Sequence, residues 1–176
     1  GYTALSQFFW MFGAHGPNLL FAVEENILEP AIHANNLAMS QGLNPALIFT
    51  KTFFDMYTRM GGSGSTLCLI AAVLLKSNDK GIRKLCVFAA IPAFCNVNEP
   101  LLFGIPLVLN PVYVMPFIIT PLLQTLIGYI ATLSGFLPFT TEIINWTTPV
   151  FISGYVASGN LSGAVVQGVN FAIGVA

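Results

Sequence analysis

The chain has 176 residues and a formal net charge of −1; 55% of its residues are hydrophobic and only 7% are charged. Soluble domains contain roughly 25% charged residues, so this composition excludes a water-soluble globular domain and predicts a polytopic membrane protein. The near-neutral charge also excludes a nucleic-acid-binding surface, because such a surface needs a dense basic face.

Residues 3–23 predict a first membrane span that is interrupted at "GAHGPN". Glycine and proline weaken the hydrogen-bond ladder of a helix within the bilayer, so we expect a broken helix here. The following stretch, "EENILEPAIHANNLAMSQGLNP" at 24–45, contains too many amides and charges for the hydrocarbon core. We expect it to lie at the membrane interface, with His33 solvated.

Residues 46–60, "ALIFTKTFFDMYTRM", place Lys51, Asp55 and Arg59 at four-residue intervals and therefore on one helical stripe. Two interpretations remain open at this point. The segment is either an interfacial amphipathic helix, or a helix whose charged stripe faces an aqueous cavity and helps to hold phosphate or substrate.

Two pairs of short apolar segments predict re-entrant hairpins. "GGSGS" at 61–65 precedes "TLCLIAAVLL", an apolar run of about half the length that a span requires. The alternative for 61–65 is a simple loop outside the bilayer. Residues 85–98 and 100–110 meet at "NVNEP" and are interrupted by prolines. Such broken pairs mark binding sites near the middle of the membrane in transporters.

The last two apolar segments, 112–136 and 150–176, are each long enough to span the membrane. They are linked by "LPFTTEIINWTTP", in which Glu142 and Trp146 suit a membrane interface. The predicted fold is therefore an all-α, polytopic membrane helix bundle with two re-entrant helical hairpins and an interfacial amphipathic helix.

Basic residues predict the orientation, because loops rich in lysine and arginine lie on the cytoplasmic side. Four of the six basic residues fall within nine positions and predict a cytoplasmic loop: Lys76, Lys80, Arg83 and Lys84.

Cysteines in this sequence lack the paired spacing of metal sites, so we predict no metal and no cofactor. We expect them to act as small buried hydrophobic residues. They are Cys68, Cys86 and Cys95.

Three motifs carry a resemblance to a known family: "GAHGPN", "GGSGSTL" and above all "NVNEPLLFGIPLVLNP". They resemble the membrane permease (IIC) component of the lactose/cellobiose family, which includes diacetylchitobiose-like members, of the bacterial sugar phosphotransferase system. The resemblance implies that residues 1–176 form the C-terminal, substrate-binding and transport domain of a multi-pass inner-membrane protein. It further implies an N-terminal helical domain before Gly1 and a homodimer when the protein is full length.

The same resemblance implies an activity and partners. Such permeases import a β-linked disaccharide, of the cellobiose, chitobiose or lactose type. They present its 6-hydroxyl to a phosphocysteine of a cytoplasmic IIB partner, which works with IIA. The chain would then be the membrane component of a sugar phosphotransferase. Which sugar it carries stays open.

Functional residues are carried over by motif. The family's HG histidine and NEP glutamate fall on His15 and Glu99. We predict that both residues contact the sugar and take part in phosphoryl transfer to it. Asn98 is expected to bind a sugar hydroxyl. Trp146 is either a sugar-stacking aromatic or an interfacial anchor.

The role of Glu99 has several interpretations. It accepts the proton of the reacting hydroxyl, or it only positions that hydroxyl, since phosphoryl transfer depends mainly on positioning and charge stabilisation. A purely structural alternative makes Glu99 a protonated carboxyl that caps a half-helix, and His15 a packing histidine.

Two rival functions also fit a broken-helix membrane protein. In a proton- or ion-coupled secondary transporter, Glu99 would carry the coupling proton and the sugar would enter unmodified. A non-transporting membrane subunit would bind no sugar. The chemical form of the imported sugar distinguishes the first rival from a permease that phosphorylates its cargo.

Overall fold

The computed structural model describes residues 1–105, 107 and 110–176, and within them every regular element is helical, which confirms the all-α class. A π-helical turn covers Glu24–Leu28 and a 3-10 turn covers Ser63–Ser65. The α-helices are α1 (Tyr2–Trp10), α2 (Gly16–Leu19), α3 (Phe21–Val23), α4 (Glu29–Ser40), α5 (Lys51–Tyr57), α6 (Thr66–Lys76), α7 (Lys80–Phe94), α8 (Glu99–Gly104), α9 (Pro111–Leu133), α10 (Ile152–Ser158) and α11 (Leu161–Val175).

The first apolar segment is a broken helix, as predicted. Helix α1 ends at Trp10, and α2 begins at Gly16 with His15 as its N-cap. Gly16 lies directly against α1, because a Cβ atom at this position would overlap the carbonyl oxygen of Ser6. The break and the close approach together place His15 beside the C-terminal end of α1.

Helix α5 is shorter and more buried than the predicted segment 46–60. It begins after Thr50, whose hydroxyl accepts a hydrogen bond from the backbone N–H of Phe53. Residues 52–57 are all buried. An interfacial amphipathic helix needs one exposed face, so that interpretation is wrong for α5. Its charged stripe instead faces a cavity, which confirms this part of the second interpretation.

The glycine-rich tip at 61–65 is buried by surrounding helices. The tip is therefore not a solvent-exposed loop, and burial by protein is also what irregular backbone at membrane depth requires. Helix α6 follows and has 11 residues. The tip therefore enters the interior of the protein and continues into a helix that is too short to cross a bilayer.

The second predicted hairpin corresponds to α7, the turn at 95–98 and α8. Helix α7 begins earlier than predicted, at Lys80, because the carboxylate of Asp79 accepts hydrogen bonds from the backbone N–H groups of Gly81 and Ile82. Residues 106 and 108–109 of the predicted hairpin, including Pro106, lie outside the described residues.

Helix α9 has 23 residues and is, in the part of the chain that the structure describes, the one helix long and apolar enough to cross a membrane. The prediction of a single span at 150–176 is wrong. The segment divides into α10 and α11 at Gly159, which has a φ of +62°, and Asn160, whose side chain caps α11. The two helices pack closely through glycines 154 and 163.

The cysteines are free thiols, and two of the three are buried. Cys68 and Cys86 are 1% and 0% exposed, whereas Cys95 is half-buried. The expectation of small buried hydrophobic residues is confirmed for the first two.

Candidate functional site

A cavity of about 370 Å³ opens between the helix break, α5, the glycine tip, the turn before α8 and the loop that follows α9. This volume lies within the roughly 300–1,000 Å³ that is typical of small-ligand pockets. All four residues predicted from the sequence line this one cavity: His15, Asn98, Glu99 and Trp146.

His15 is held by the backbone at the start of α2. Its Nδ1 atom accepts a hydrogen bond from the backbone N–H of Asn18 at 3.2 Å. In a neutral imidazole the other nitrogen then carries the proton, so Nε2–H is the group available to donate. The ring also packs against Trp10, with 4.7 Å between the two ring centroids. These contacts fix both the tautomer and the direction of the ring.

Asn98 and Glu99 lie at the N-terminus of α8. Asn98 is the N-cap residue and is 5% exposed. Its Nδ2 atom donates to the carbonyl oxygen of Ser63 at 3.0 Å, which joins this turn to the glycine tip. This bond uses one of the two amide N–H groups, so both Oδ1 and the second N–H of Asn98 suit a ligand hydroxyl. Glu99, next along the chain, lines the cavity with an exposed side chain.

Asn96 is a cavity residue that the sequence analysis did not identify. It adopts a left-handed backbone with a φ of +63° and is 7% exposed. Its Oδ1 accepts from the N–H of Gly61 at 2.9 Å, and its Nδ2 donates to the carbonyl oxygens of Trp146 and Thr148 at 2.6 and 3.2 Å. A single amide therefore joins the tip, the turn before α8 and the loop that carries Trp146.

The cavity is also lined by Glu24, Lys51, Asp55 and Arg59, which belong to a connected group of polar and charged side chains that we call the charged wall. Lys51 Nζ donates to Asp55 Oδ2, Arg59 Nη1 to Asp55 Oδ1 and Arg59 Nη2 to Glu24 Oε1, each at 2.8 Å. The hydroxyl of Tyr2 is hydrogen-bonded to both Glu24 and Arg59. The members of the charged wall are Tyr2, Glu24, Lys51, Asp55 and Arg59.

Charge is balanced within the charged wall, because two cations face two carboxylates. Sequence spacing indicated the stripe of Lys51, Asp55 and Arg59, but their partner Glu24 lies in the separate polar stretch 24–45. An ion pair between distant segments leaves no periodic signal, so spacing within one helix did not identify it.

The arrangement has the chemistry of a carbohydrate site. A sugar offers hydroxyl groups that both donate and accept, and it needs a concave site in which donors and acceptors converge. The imidazole N–H of His15 donates, and the oxygens of Asn98 and Glu99 accept. Trp146 adds an aromatic surface that is 48% exposed.

Comparison with known proteins agrees with this chemistry. The sequence model described as "Phosphotransferase system, EIIC" matches residues 1–121. The lichenan permease IIC component of Bacillus subtilis (strain 168) is 40% identical over 172 residues, which cover 97% of this chain and 38% of that protein. The lactose-specific EIICB component of Staphylococcus aureus is 32% identical over 142 residues, or 80% of this chain and 25% of that protein.

A solved structure is also similar. The transporter ChbC, the IIC component from the N,N'-diacetylchitobiose-specific phosphotransferase system, superimposes with a TM-score of 0.95 and 34% identity. The match covers 99% of this chain and 41% of ChbC. The chain thus spans about 40% or less of the length of these relatives.

Proposed function

Because the chain belongs to the phosphotransferase system EIIC family, we propose that it is the sugar-binding and transport part of a membrane permease. A β-linked disaccharide enters the cavity and is carried inward. Its 6-hydroxyl is then phosphorylated by a phosphocysteine of a cytoplasmic IIB partner, with IIA as a second partner. One observation carries this proposal: the helix break with His15 and the turn with Asn98 and Glu99 line the same cavity.

Sugar binding follows from the groups around the cavity. His15 Nε2–H donates to a sugar oxygen, and the Glu99 carboxylate accepts from the 6-hydroxyl. Asn98 Oδ1 accepts from a further hydroxyl. Trp146 stacks against the apolar face of a sugar ring, because an exposed indole offers a broad apolar surface at the cavity rim.

Transfer itself is a single displacement. The 6-hydroxyl oxygen attacks the phosphorus atom, the bond between phosphorus and the cysteine sulfur breaks, and the thiolate leaves. The hydroxyl proton passes to Glu99 if this residue is the base, or to water if Glu99 only positions the hydroxyl.

The membrane arrangement belongs to the same proposal. The glycine tip at 61–65 and the turn at 95–98 are the tips of two re-entrant hairpins, because α6 and α8, which follow them, have 11 and 6 residues and are too short to span. The polar helix α4 lies at the interface. The complete protein is a multi-pass homodimer in the bacterial inner membrane, and its Lys76–Lys84 loop is cytoplasmic. Residues 1–176 are its C-terminal domain.

The names of the relatives support the substrate class. One is a permease for lichenan, one is lactose-specific and one belongs to a diacetylchitobiose system. These names support a β-linked disaccharide of the cellobiose, chitobiose or lactose type for this chain, and the fused name EIICB supports a IIB partner.

A sugar panel tests the proposal. The complete protein that carries this chain is purified in detergent, and its thermal unfolding is measured with cellobiose, N,N'-diacetylchitobiose and lactose, and with the α-linked maltose as control. A ligand present at a hundred times its Kd stabilises the folded state by about 2.7 kcal/mol, so at least one β-linked sugar raises Tm.

Product analysis then separates the permease from its rival. In vesicles that contain the protein, sugar phosphate should form only when phosphorylated IIB is supplied. Uptake of free sugar without IIB, abolished when the proton gradient collapses, would instead identify a proton-coupled transporter. An unchanged Tm with every sugar would remove the carbohydrate site altogether.

A further inference from the structure

The charged wall has no part in the transfer step described above, although all of its members except Tyr2 line the same cavity. Its central member is Arg59, which follows α5 and is 13% exposed. Arg59 contacts Asp55 on the preceding helix α5 and Glu24 on the π-helical turn that continues from the first broken helix. One guanidinium therefore joins two separate segments.

Each of these segments leads directly to the predicted sugar ligands. Glu24 lies on the run of helical turns that starts at His15. On the other side, the carbonyl oxygen of Arg59 accepts from the N–H of Gly62 at 2.8 Å. Gly62 in turn packs on Asn98, because a Cβ atom added to Gly62 would be 2.6 Å from Asn98 Cγ. The ion pair between Arg59 and Glu24 thus connects the segment that begins at His15 with the turn that carries Asn98.

The local backbone supports a positional role. Glu24 opens a π-helical turn, which is a rare feature that occurs frequently at functional sites. A buried ion pair adds little net stability, because desolvation of both charges offsets their attraction. Fixed geometry is therefore a better explanation of this pair than stability alone. Lys51 is different, since among the described residues it pairs only with Asp55 on its own helix.

We propose that Arg59 and Glu24 are positioning residues that hold the His15 segment and the glycine tip beside Asn98 at the separation that transfer requires. This inference rests on the proposed function. The planar guanidinium suits the task, because its fork can donate to two carboxylates at once, whereas a lysine ammonium is a point charge. The side chains of the pair act through the two segments and do not bind the sugar.

Hydrogen exchange tests the positional part without any sugar. Glu24→Gln and Arg59→Gln should each speed backbone exchange at residues 11–20 and 60–67 by at least about tenfold, and leave α9 unchanged, because local opening is confined to the segments that lose the link. Lys51→Gln is the matched control, since it breaks an ion pair of the same 2.8 Å length within one helix. Unchanged exchange in both variants would overturn the inference.

Kinetics of sugar phosphate formation test the consequence for transfer. A small misplacement of reacting groups costs about a hundredfold in rate, so kcat should fall by about 10- to 100-fold while KM changes by less than about threefold. Arg59→Lys should retain the fold and fall between wild type and Arg59→Gln. A raised KM with an unchanged kcat would mean direct sugar contact and would overturn the proposal.

A double variant separates position from charge. Glu24→Gln combined with Arg59→Gln removes one charge of each sign and should recover Tm relative to the single variants, but it should not recover kcat. Recovery of kcat would show that only charge balance mattered. If the wild-type protein forms no sugar phosphate, the proposed function fails, and the exchange comparison alone decides whether the pair holds the two segments.

Discussion

Glu99 is the residue on which the proposed chemistry depends most. It is the first residue of α8, directly after the capping Asn98, and its side chain lines the cavity rather than packing in the core. In the purely structural interpretation, Glu99 only caps a half-helix. That interpretation does not explain why His15 lines the same cavity.

Glu99→Gln keeps the shape of the side chain and removes its ability to take a proton. If Glu99 is the base, we expect the rate of sugar phosphate formation to fall by about 10²- to 10⁴-fold, which is the usual contribution of a general base. His15→Ala should also abolish transport, because it removes a hydrogen-bond donor to the sugar. Both rates are measured in vesicles with phosphorylated IIB.

Glu142→Gln is the matched control for this experiment. Glu142 is exposed, lies outside the residues that line the cavity and undergoes the same chemical change. The control should transport at the wild-type rate, and all variants should insert in the membrane. A wild-type rate in Glu99→Gln would remove the residue from the mechanism.

Motifs predicted three of the residues around the cavity, His15, Asn98 and Glu99, but they did not predict how those residues are held. Asn96 shows the reason. Asparagine tolerates a left-handed backbone, and that preference is visible in a sequence. Its three hydrogen-bond partners, however, lie 35, 50 and 52 residues away along the chain. Bonds of this range depend on tertiary packing, which neither periodicity nor local motifs encode.

Among the elements, the ends of helices were predicted best where nearby glycine and proline residues interrupt the helix. The break before His15 follows from the glycines and proline of "GAHGPN". The division at Gly159 has an equally local signal, a glycine followed by a capping asparagine, but the apolar length of 150–176 was given more weight. The length of α5 was overestimated because a four-residue charge spacing continues past the end of the helix at Tyr57.

The glycine tip provides a prediction at the level of an element. Gly62 has a φ of +94°, and a Cβ atom there would lie 2.6 Å from Asn98 Cγ. Gly62→Ala should therefore push the tip away from the turn before α8. We expect it to lower Tm and to weaken disaccharide binding, because the tip, the turn and the cavity share these contacts. Thermal unfolding with and without sugar measures both effects.

Gly42→Ala is the control, because Gly42 has a similar φ of +73° but nothing within 4 Å of an added Cβ atom. It reports the cost of a positive φ without a steric clash, whereas Gly62 combines the clash with a φ of +94° and a ψ of −168°, a region essentially restricted to glycine. Gly62→Ala should cost more than this. Equal losses of Tm in the two variants, with sugar binding intact in both, would mean that the tip does not support the cavity.

For the whole molecule, composition alone indicated a membrane protein, and the cluster of basic residues indicated an orientation. What composition did not predict is the way in which separate segments converge on one cavity. Arg59 and Glu24 lie 35 residues apart in sequence, yet they form an ion pair of 2.8 Å. Such pairings arise from the packing of the whole chain.

Orientation is tested by chemical labelling of the loop between α6 and α7. Asn78 is exposed and lies between the basic residues of this loop. In Asn78→Cys, a membrane-impermeant maleimide should label inside-out vesicles and leave intact spheroplasts unlabelled, because positive loops lie on the cytoplasmic side. The wild-type protein is the control and reports any labelling of the half-buried Cys95, since Cys68 and Cys86 are buried. Labelling of intact spheroplasts would reverse the proposed orientation.

The most direct measurement of the central claim is an experimental structure of the complete protein bound to the disaccharide that raises its Tm most. We expect the sugar to occupy the cavity between the helix break and α8. Its 6-hydroxyl should lie within hydrogen-bonding distance of the Glu99 carboxylate, and His15 Nε2 should donate to the same ring. A sugar bound elsewhere, or one in this cavity with no contact to Glu99 and His15, would contradict the account.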